Sequence, residues 1–291
     1  MRIIFRIQPI LRCDLKMSNL KKVELCGVIK VSNLCLRKKP CLYCGFIHQG
    51  NSVADIRLVD SAFFTGEKEV LKQARELDAA GVDWVFLVTG WLGKRLPGGI
   101  TDYIELIKAN TKLKVMVAFG ELDRESLARL KNAGVDRYTC KLETVNRELF
   151  KSIKPGDSLD ERITTIRECK DIGLEVESGI IVGIGEKQDD YREAAQTFKD
   201  LQVEAVHISL FDPAFAAGSP MAGFMPGNEN GAILFLQYMR SMAGDGIDIR
   251  ARCFPEEKAP FWVNAGVNIF SPVTVKNASY LKNFSVKWDR H

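Results

Sequence analysis

The chain has 291 residues, 46% hydrophobic and 27% charged, with a formal net charge of +4 from 41 basic and 37 acidic side chains. That composition excludes wholesale disorder, a collagen-like fibre and a small disulfide scaffold. The balanced charge makes no case for nucleic acid, and a charged residue interrupts every apolar run before the roughly 18 residues a membrane span needs.

Residues 1–22 read as an N-terminal arm. Arg2 and Arg6 stand inside its apolar stretch, where a signal peptide stays uncharged, and Met17 is an alternative start. The protein is expected to be cytoplasmic. From Val23 the pattern alternates. Apolar or β-branched runs at 23–32, 84–90, 114–119, 137–143, 175–182, 205–211, 248–252 and 267–270 read as strands. Between them, 67–80 sets Val70, Leu71, Ala74 and Leu77 on one helical face and stops at Gly81. Residues 123–133 start at Asp123 as N-cap and stop at Gly134. Residues 158–172 open with a Ser-Leu-Asp-Glu capping box and stop at Gly173. Further helices fit 101–110, 188–201, 230–243 and 258–265.

Eight strands alternating with helices over 23–272 predict an α/β fold, a (β/α)8 TIM-type barrel, with 273–291 as a C-terminal tail. A doubly wound open sheet would want a glycine-rich phosphate loop. The best candidate, Gly183-Ile-Gly185-Glu-Lys-Gln188, lacks the third glycine. Barrel chemistry sits where strands end, on the C-terminal face. That rule selects the loop after Asn33, Thr89-Gly90-Trp91, Gly120-Glu121, Lys141, Glu143, Ser178 through Glu186, Phe211-Asp212, Arg250 and Arg252.

Eight cysteines fall at 13, 26, 35, 41, 44, 140, 169 and 253, three of them within one short loop after the first strand. The loop Cys35-Leu-Arg-Lys-Lys-Pro-Cys41-Leu-Tyr-Cys44 can supply three thiolates to a [4Fe–4S] cluster and leave one iron open. With His48, the same spacing extends to C-x5-C-x2-C-x3-H, a tetrahedral zinc set. An accidental group of free thiols is the third reading.

Tyr43 before the third cysteine, Gly45-Phe46 after it and the place of the loop above the first strand resemble the radical S-adenosylmethionine (SAM) superfamily. Residues 114–186 are similar to the barrel of the biotin synthase and [FeFe]-hydrogenase maturase group, and Ala265–Phe270 to its eighth-strand ending. The usual loop there is C-x3-C-x2-C. The C-x5-C-x2-C spacing resembles instead the radical SAM proteins associated with biosynthesis of the guanylylpyridinol cofactor of [Fe]-hydrogenase.

The resemblance implies a [4Fe–4S] cluster on Cys35, Cys41 and Cys44, with S-adenosylmethionine on the open iron. It implies Arg162 for the SAM carboxylate, Glu143 for the ribose hydroxyls, and carbonyls of Thr89 and Gly90 for the ammonium. Tyr43, Leu210 and Phe211 would contact adenine, Gly183 would pack near it, and Ser178 would face the cavity. SAM would be cleaved reductively to a 5′-deoxyadenosyl radical that abstracts hydrogen from a small substrate. Lys141, Arg250 and Arg252 are candidate substrate contacts able to hold carboxylates. Lys141 also fits a Schiff-base aldolase, a reading that leaves the cysteine loop unused. Arg37-Lys38-Lys39 reads as a solvated run or as a dock for an acidic electron donor such as flavodoxin or ferredoxin. The second-cluster positions of biotin synthase correspond to Leu87, Met116, Glu177 and Arg250, which excludes sulfur insertion of that kind. Cys169 reads as packing, Cys140 and Cys253 as redox candidates near the barrel mouth, and His207 as a core histidine. A maturase of the [FeFe]-hydrogenase type, a methylornithine-synthase-like mutase and a zinc-stabilised binding barrel are the alternative functions.

Overall fold

The computed structural model describes residues 22–32, 34–44, 64–251 and 258–278. Nearly all of the N-terminal arm, Gly45, Phe46, His48, Arg252, Cys253 and most of the tail lie outside them. The described residues form a closed, all-parallel barrel whose eight strands follow chain order. The strands are β1 (Glu24–Lys30), β2 (Trp84–Val88), β3 (Lys114–Ala118), β4 (Arg137–Thr139), β5 (Glu175–Val182), β6 (Ala205–Leu210), β7 (Asp248–Ala251) and β8 (Ile269–Val273). Closure comes from β1 pairing with β8, Glu24 opposite Ile269 and Leu25 opposite Phe270, with the register shifting before Gly27 meets Val273. A closed sheet has no edge, so the doubly wound alternative falls.

Each expected helix forms: α1 (Glu67–Ala79), α2 (Ile100–Asn110), α3 (Arg124–Asn132), α5 (Leu159–Asp171), α6 (Gln188–Asp200), α7 (Glu229–Ala243) and α8 (Ala259–Asn264). α1 buries Val70, Ala74 and Leu77 while Leu71 is half-buried, and Gly81 ends the helix at φ 76°. The Asp123 side chain accepts from Ser126 N at 2.8 Å, satisfying one of the first-turn donors of α3. Ser158 accepts from Glu161 N, but the Glu161 carboxylate turns outward to Lys94 at 2.6 Å, so half of the expected capping box forms. An unexpected helix, α4 (Arg147–Ile153), precedes α5 and is capped by Asn146, which accepts from Leu149 N.

The fourth strand is shorter than the expected 137–143. Its regular ladder stops at Thr139, and Glu143, at φ 65°, rejoins β5 through Gly179 and Ile181. A left-handed non-glycine residue at a strand end is a local strain of the kind that accumulates at functional sites. The eighth strand starts two residues later than expected, and just before it the Asn268 side chain accepts from Ile249 N. Among the described residues no helix is long and apolar enough to cross a membrane.

Candidate active site at the mouth of the barrel

The barrel interior sets the floor of the site. Cys26, Trp84, Phe86, Met116 and Ile269 pack as one apolar layer inside the ring. Leu87 points the other way, into the core beneath the helices. The inward position on β2 is therefore Phe86, and Leu87, the position matched by resemblance, faces the helices. A strand as evenly apolar as Trp84–Val88 is buried on both faces and carries no alternation from which to phase it. Among the described residues that interior cluster offers one thiol, Cys26.

Above this layer stands a buried ion pair. Arg250 donates from Nε to Glu177 Oε2 at 2.8 Å and from Nη2 to Oε1, while Nη1 reaches Ser271 Oγ at 3.1 Å. Its guanidinium stacks on Phe86, 4.3 Å from the ring centre, and Thr139 supplies a further donor to Glu177. Arg250 and Glu177 are each at most 1% exposed. Glu177 thus takes two of the five Arg250 donors and Ser271 a third, and the guanidinium still lines the cavity, so a substrate carboxylate there would share Arg250 with Glu177.

A cavity of about 260 Å³ opens over this pair, walled by Val28, Phe86, Ile181, Phe211 and Pro272 and by the polar groups of Lys141 and Ser209. Leu210 and His207 also face it, so His207 is a cavity residue rather than plain core. Lys141 Nζ lies 2.9 Å from Glu143 Oε2 and donates to Ser209 Oγ at 3.1 Å. Burial pulls the Lys141 ammonium below its usual range, against the pull of Glu143. The Glu143 carboxyl is held down in spite of burial, by Lys141, Lys154 and Arg162. Tyr43 donates to Glu143 Oε1 at 3.1 Å, which ties the cysteine loop to the cavity rim. Burial, then Glu143, pushes the Tyr43 hydroxyl well up.

The pleat of β5 sends Ser178 away from the cavity. It is fully buried and donates to the Cys140 carbonyl at 2.8 Å, which corrects the inward placement. Cys140 is likewise fully buried, near the Arg162 carbonyl at 3.7 Å, and burial pushes its thiol up to about 12. That environment suits packing, not redox exchange. Gly183, at φ 99°, lies where a Cβ would come 2.4 Å from Gly227, and its amide is taken by Glu186. Phe211 packs edge-on against Phe224.

The cysteine loop lies across the ends of β1 and β2. Gly90 permits this, since a Cβ there would stand 2.3 Å from the Leu34 carbonyl and 2.5 Å from Cys35 Cβ. Thr89 Oγ1 donates to the Gly90 carbonyl at 2.6 Å. Cys35 is buried, and Cys41 and Cys44 are half-buried in a turn closed by Cys44 N donating to Cys41 O. Arg162 is turned by Asp157, which accepts from its Nε and Nη2, and it donates to the Lys141 carbonyl at 2.7 Å. Glu121, Lys154 and Asp157 complete this buried group, and Arg37 joins it. Of these, Lys154 and Asp157 went unread in the sequence. The turn Lys154-Pro-Gly-Asp157 just before the Ser158 cap is the one local signal that marks them. Arg37, far from being solvated, is 9% exposed, while Lys38 and Lys39 in the same loop are exposed.

The donor set fits an iron–sulfur cluster: three cysteine sulfurs on one loop beside an open cavity, with no carboxylate interposed in the sequence between them. Each thiolate of such a cluster takes a different iron, so the three need not converge on one point. Among the described residues no three His, Cys, Asp or Glu side chains do converge.

The model of the radical SAM superfamily matches residues 29–198. A biotin synthase of Thermotoga petrophila is 30% identical over 283 residues, covering 93% of this chain and 90% of its own. An uncharacterized protein of Methanocaldococcus jannaschii is 33% identical over 205 residues, and there the chain spans 52% of the relative's length. Methylornithine synthase shares the fold at TM-score 0.71 and 23% identity, covering 87% of this chain and 72% of that one. The [FeFe]-hydrogenase maturase HydG of Carboxydothermus hydrogenoformans does so at 0.69 and 18%, covering 86% and 58%. With its matched span reaching from the first strand through α6, the chain belongs to the radical SAM superfamily.

Proposed function

We propose that this enzyme uses the cavity above the Glu177–Arg250 pair to present a small substrate for hydrogen abstraction, in biosynthesis of the guanylylpyridinol cofactor of [Fe]-hydrogenase. Membership of the superfamily brings a [4Fe–4S] cluster and SAM as cofactors. Cys35, Cys41 and Cys44 would hold the cluster. When bound, the cluster and SAM would supply a 5′-deoxyadenosyl radical by one-electron cleavage of the SAM C5′–S bond. What the chain adds is orientation and exclusion of water. Glu143, ionised and aimed by Lys141 and Tyr43, is the acceptor for ribose hydroxyls. The Thr89 and Gly90 carbonyls suit an ammonium, and Arg162 a carboxylate. Leu210 and Phe211 offer an apolar wall for adenine, with Gly183 behind. Lys141 is the polar contact for substrate. The exposed Lys38-Lys39 pair within the loop supports docking of an acidic electron donor.

The single observation that supports the radical chemistry best is the three-thiol loop tied by Tyr43 to the rim of the cavity. The pathway rests on the C-x5-C-x2-C spacing. Sulfur insertion of the biotin synthase kind is disfavoured because Phe86, Met116 and Glu177 occupy the inward positions. The likeness to methylornithine synthase and to the hydrogenase maturase concerns the fold and does not choose a substrate.

The loop assignment is tested by anaerobic reconstitution with iron and sulfide, followed by metal and sulfide analysis. About four irons and a matching amount of sulfide per chain are expected for the native protein. The Cys35→Ala, Cys41→Ala, Cys44→Ala triple variant should hold little of either. About one zinc per chain with no labile sulfide would return the tetrahedral zinc reading.

A further inference from the structure

The loop between Cys35 and Cys41 is five residues long and carries a buried cation, Arg37, at its second position. The Arg37 guanidinium lies on the indole of Trp91, 4.3 Å from the ring centre. Its Nη2 donates to both oxygens of Glu121, at 2.5 Å to Oε1, and stands 3.3 Å from Asp157 Oδ2. Its Nη1 donates to the Gly156 carbonyl at 2.8 Å. The loop backbone is held on either side. Leu36 N donates to Trp91 O and Leu42 N to Ile153 O, each at 2.8 Å. Gly156 packs so tightly under Lys39 that a Cβ would sit 2.3 Å from the Lys39 carbonyl. The loop therefore rests on two beds, the Gly90-Trp91 end of β2 and the 153–157 turn between α4 and α5.

The charges around Arg37 are organised as a set. Lys154 lies 2.9 Å from Asp157, and Arg162 lies 2.7 Å from Asp157 and 3.6 Å from Glu121. Three cations thus face two carboxylates. If Arg37 is lost, Asp157 keeps Arg162 and Lys154 and Glu121 keeps Arg162 at 3.6 Å, so each carboxylate still faces a cation. A buried ion pair is weak evidence for stability, and its best-attested use is to fix one arrangement among several. Only a planar, forked cation can stack on Trp91, grip Glu121 and reach Gly156 together.

We propose that Arg37 is the positioning residue of the cysteine loop, its fork fixing Cys35 and Cys41 at the separation at which both ligate one cluster. The proposal rests on the reading of this loop as the cluster site. It gives the lengthened spacing a physical role: the added residues form a strut into the barrel.

The test compares native protein with Arg37→Ala, Arg37→Lys and, as a surface control, Lys38→Ala, each reconstituted anaerobically. Iron loss to a ferrous chelator, the electron paramagnetic resonance spectrum of the dithionite-reduced cluster and apoprotein Tm are measured. Arg37→Ala is expected to lose iron roughly tenfold faster or more and to broaden the spectrum, at an apoprotein Tm close to native. Arg37→Lys should behave like the Ala variant, because an ammonium lacks the fork, and Lys38→Ala like native. Native retention and spectrum in Arg37→Ala would overturn the proposal. So would restoration of both by Lys, or a lowered apoprotein Tm with an unchanged spectrum. If native protein itself binds no cluster, the site reading fails and takes the proposal with it. A cluster in native protein that is indifferent to Arg37 sinks the proposal alone.

Discussion

Burial sets three of the six described cysteines apart from the loop. Cys26, Cys140 and Cys169 are shut into the core, and burial pushes the first two thiols to about 11 and about 12 and the third higher still. Cys41 and Cys44 are half-buried on the loop. Alkylation needs both thiolate and access, and thiolate grows only as pH rises toward the pKa. In folded apoprotein at pH 8, peptide mapping should therefore find Cys41 and Cys44 labelled first, with Cys26, Cys140 and Cys169 reacting only after denaturation. Labelling of Cys140 at the rate of Cys41 would contradict its buried placement. The cysteine triplet was legible because three thiols in one short loop are a local pattern. Arg37 was not, because a run of Arg-Lys-Lys is ordinarily solvated, and its partners Glu121 and Asp157 stand far along the chain. No spacing rule marks a pair made across that distance.

The βα units were legible as elements because each repeats the same design: an apolar strand, a capped amphipathic helix, a stop. Asp123 and the glycines at 81, 134 and 173 act as the sequence suggested. What escaped was short or bent. The seven-residue α4 leaves no room for two full apolar repeats, and β4 breaks where Glu143 turns left-handed. Both irregular elements serve the site. α4 ends in the carbonyl that receives Leu42, and Glu143 meets Tyr43 and Lys141. The junction of β2 with the cysteine loop gives a sharper test of how elements place the site. Gly90→Ala would drive a Cβ into the Leu34 carbonyl and Cys35, an overpacking that typically costs about 1–3 kcal/mol. Denaturant unfolding should show that loss together with reduced iron retention. Gly98→Ala, where nothing lies within 4 Å, should show neither. A Gly90→Ala protein with native stability and iron content would mean the loop does not lie on β2 as described.

At the scale of the whole molecule the barrel was readable from the count and order of its strands, whereas the cavity was not. Its walls are drawn from β1, β2, β5, β6, β7 and β8 together with the end of β4, and only closure brings them to one place. The same closure joins Glu177 to Arg250 across 73 positions and sets the pair into the floor of the site. Breaking one side of so buried a pair leaves an uncompensated charge. Glu177→Ala or Arg250→Ala should each cost about 3–5 kcal/mol in denaturant unfolding, while Glu177→Met with Arg250→Met should be close to neutral. Single variants of native stability would contradict a closed, dry floor. The central claim, that this barrel and its three-thiol loop generate a radical from SAM, is tested most directly by product analysis. Reconstituted protein is incubated anaerobically with SAM and dithionite, and 5′-deoxyadenosine is quantified by mass spectrometry beside the Cys35→Ala, Cys41→Ala, Cys44→Ala variant. The account predicts 5′-deoxyadenosine and methionine from the native loop alone. Equal product from both proteins, or none from native protein that holds its cluster and binds SAM, would contradict it.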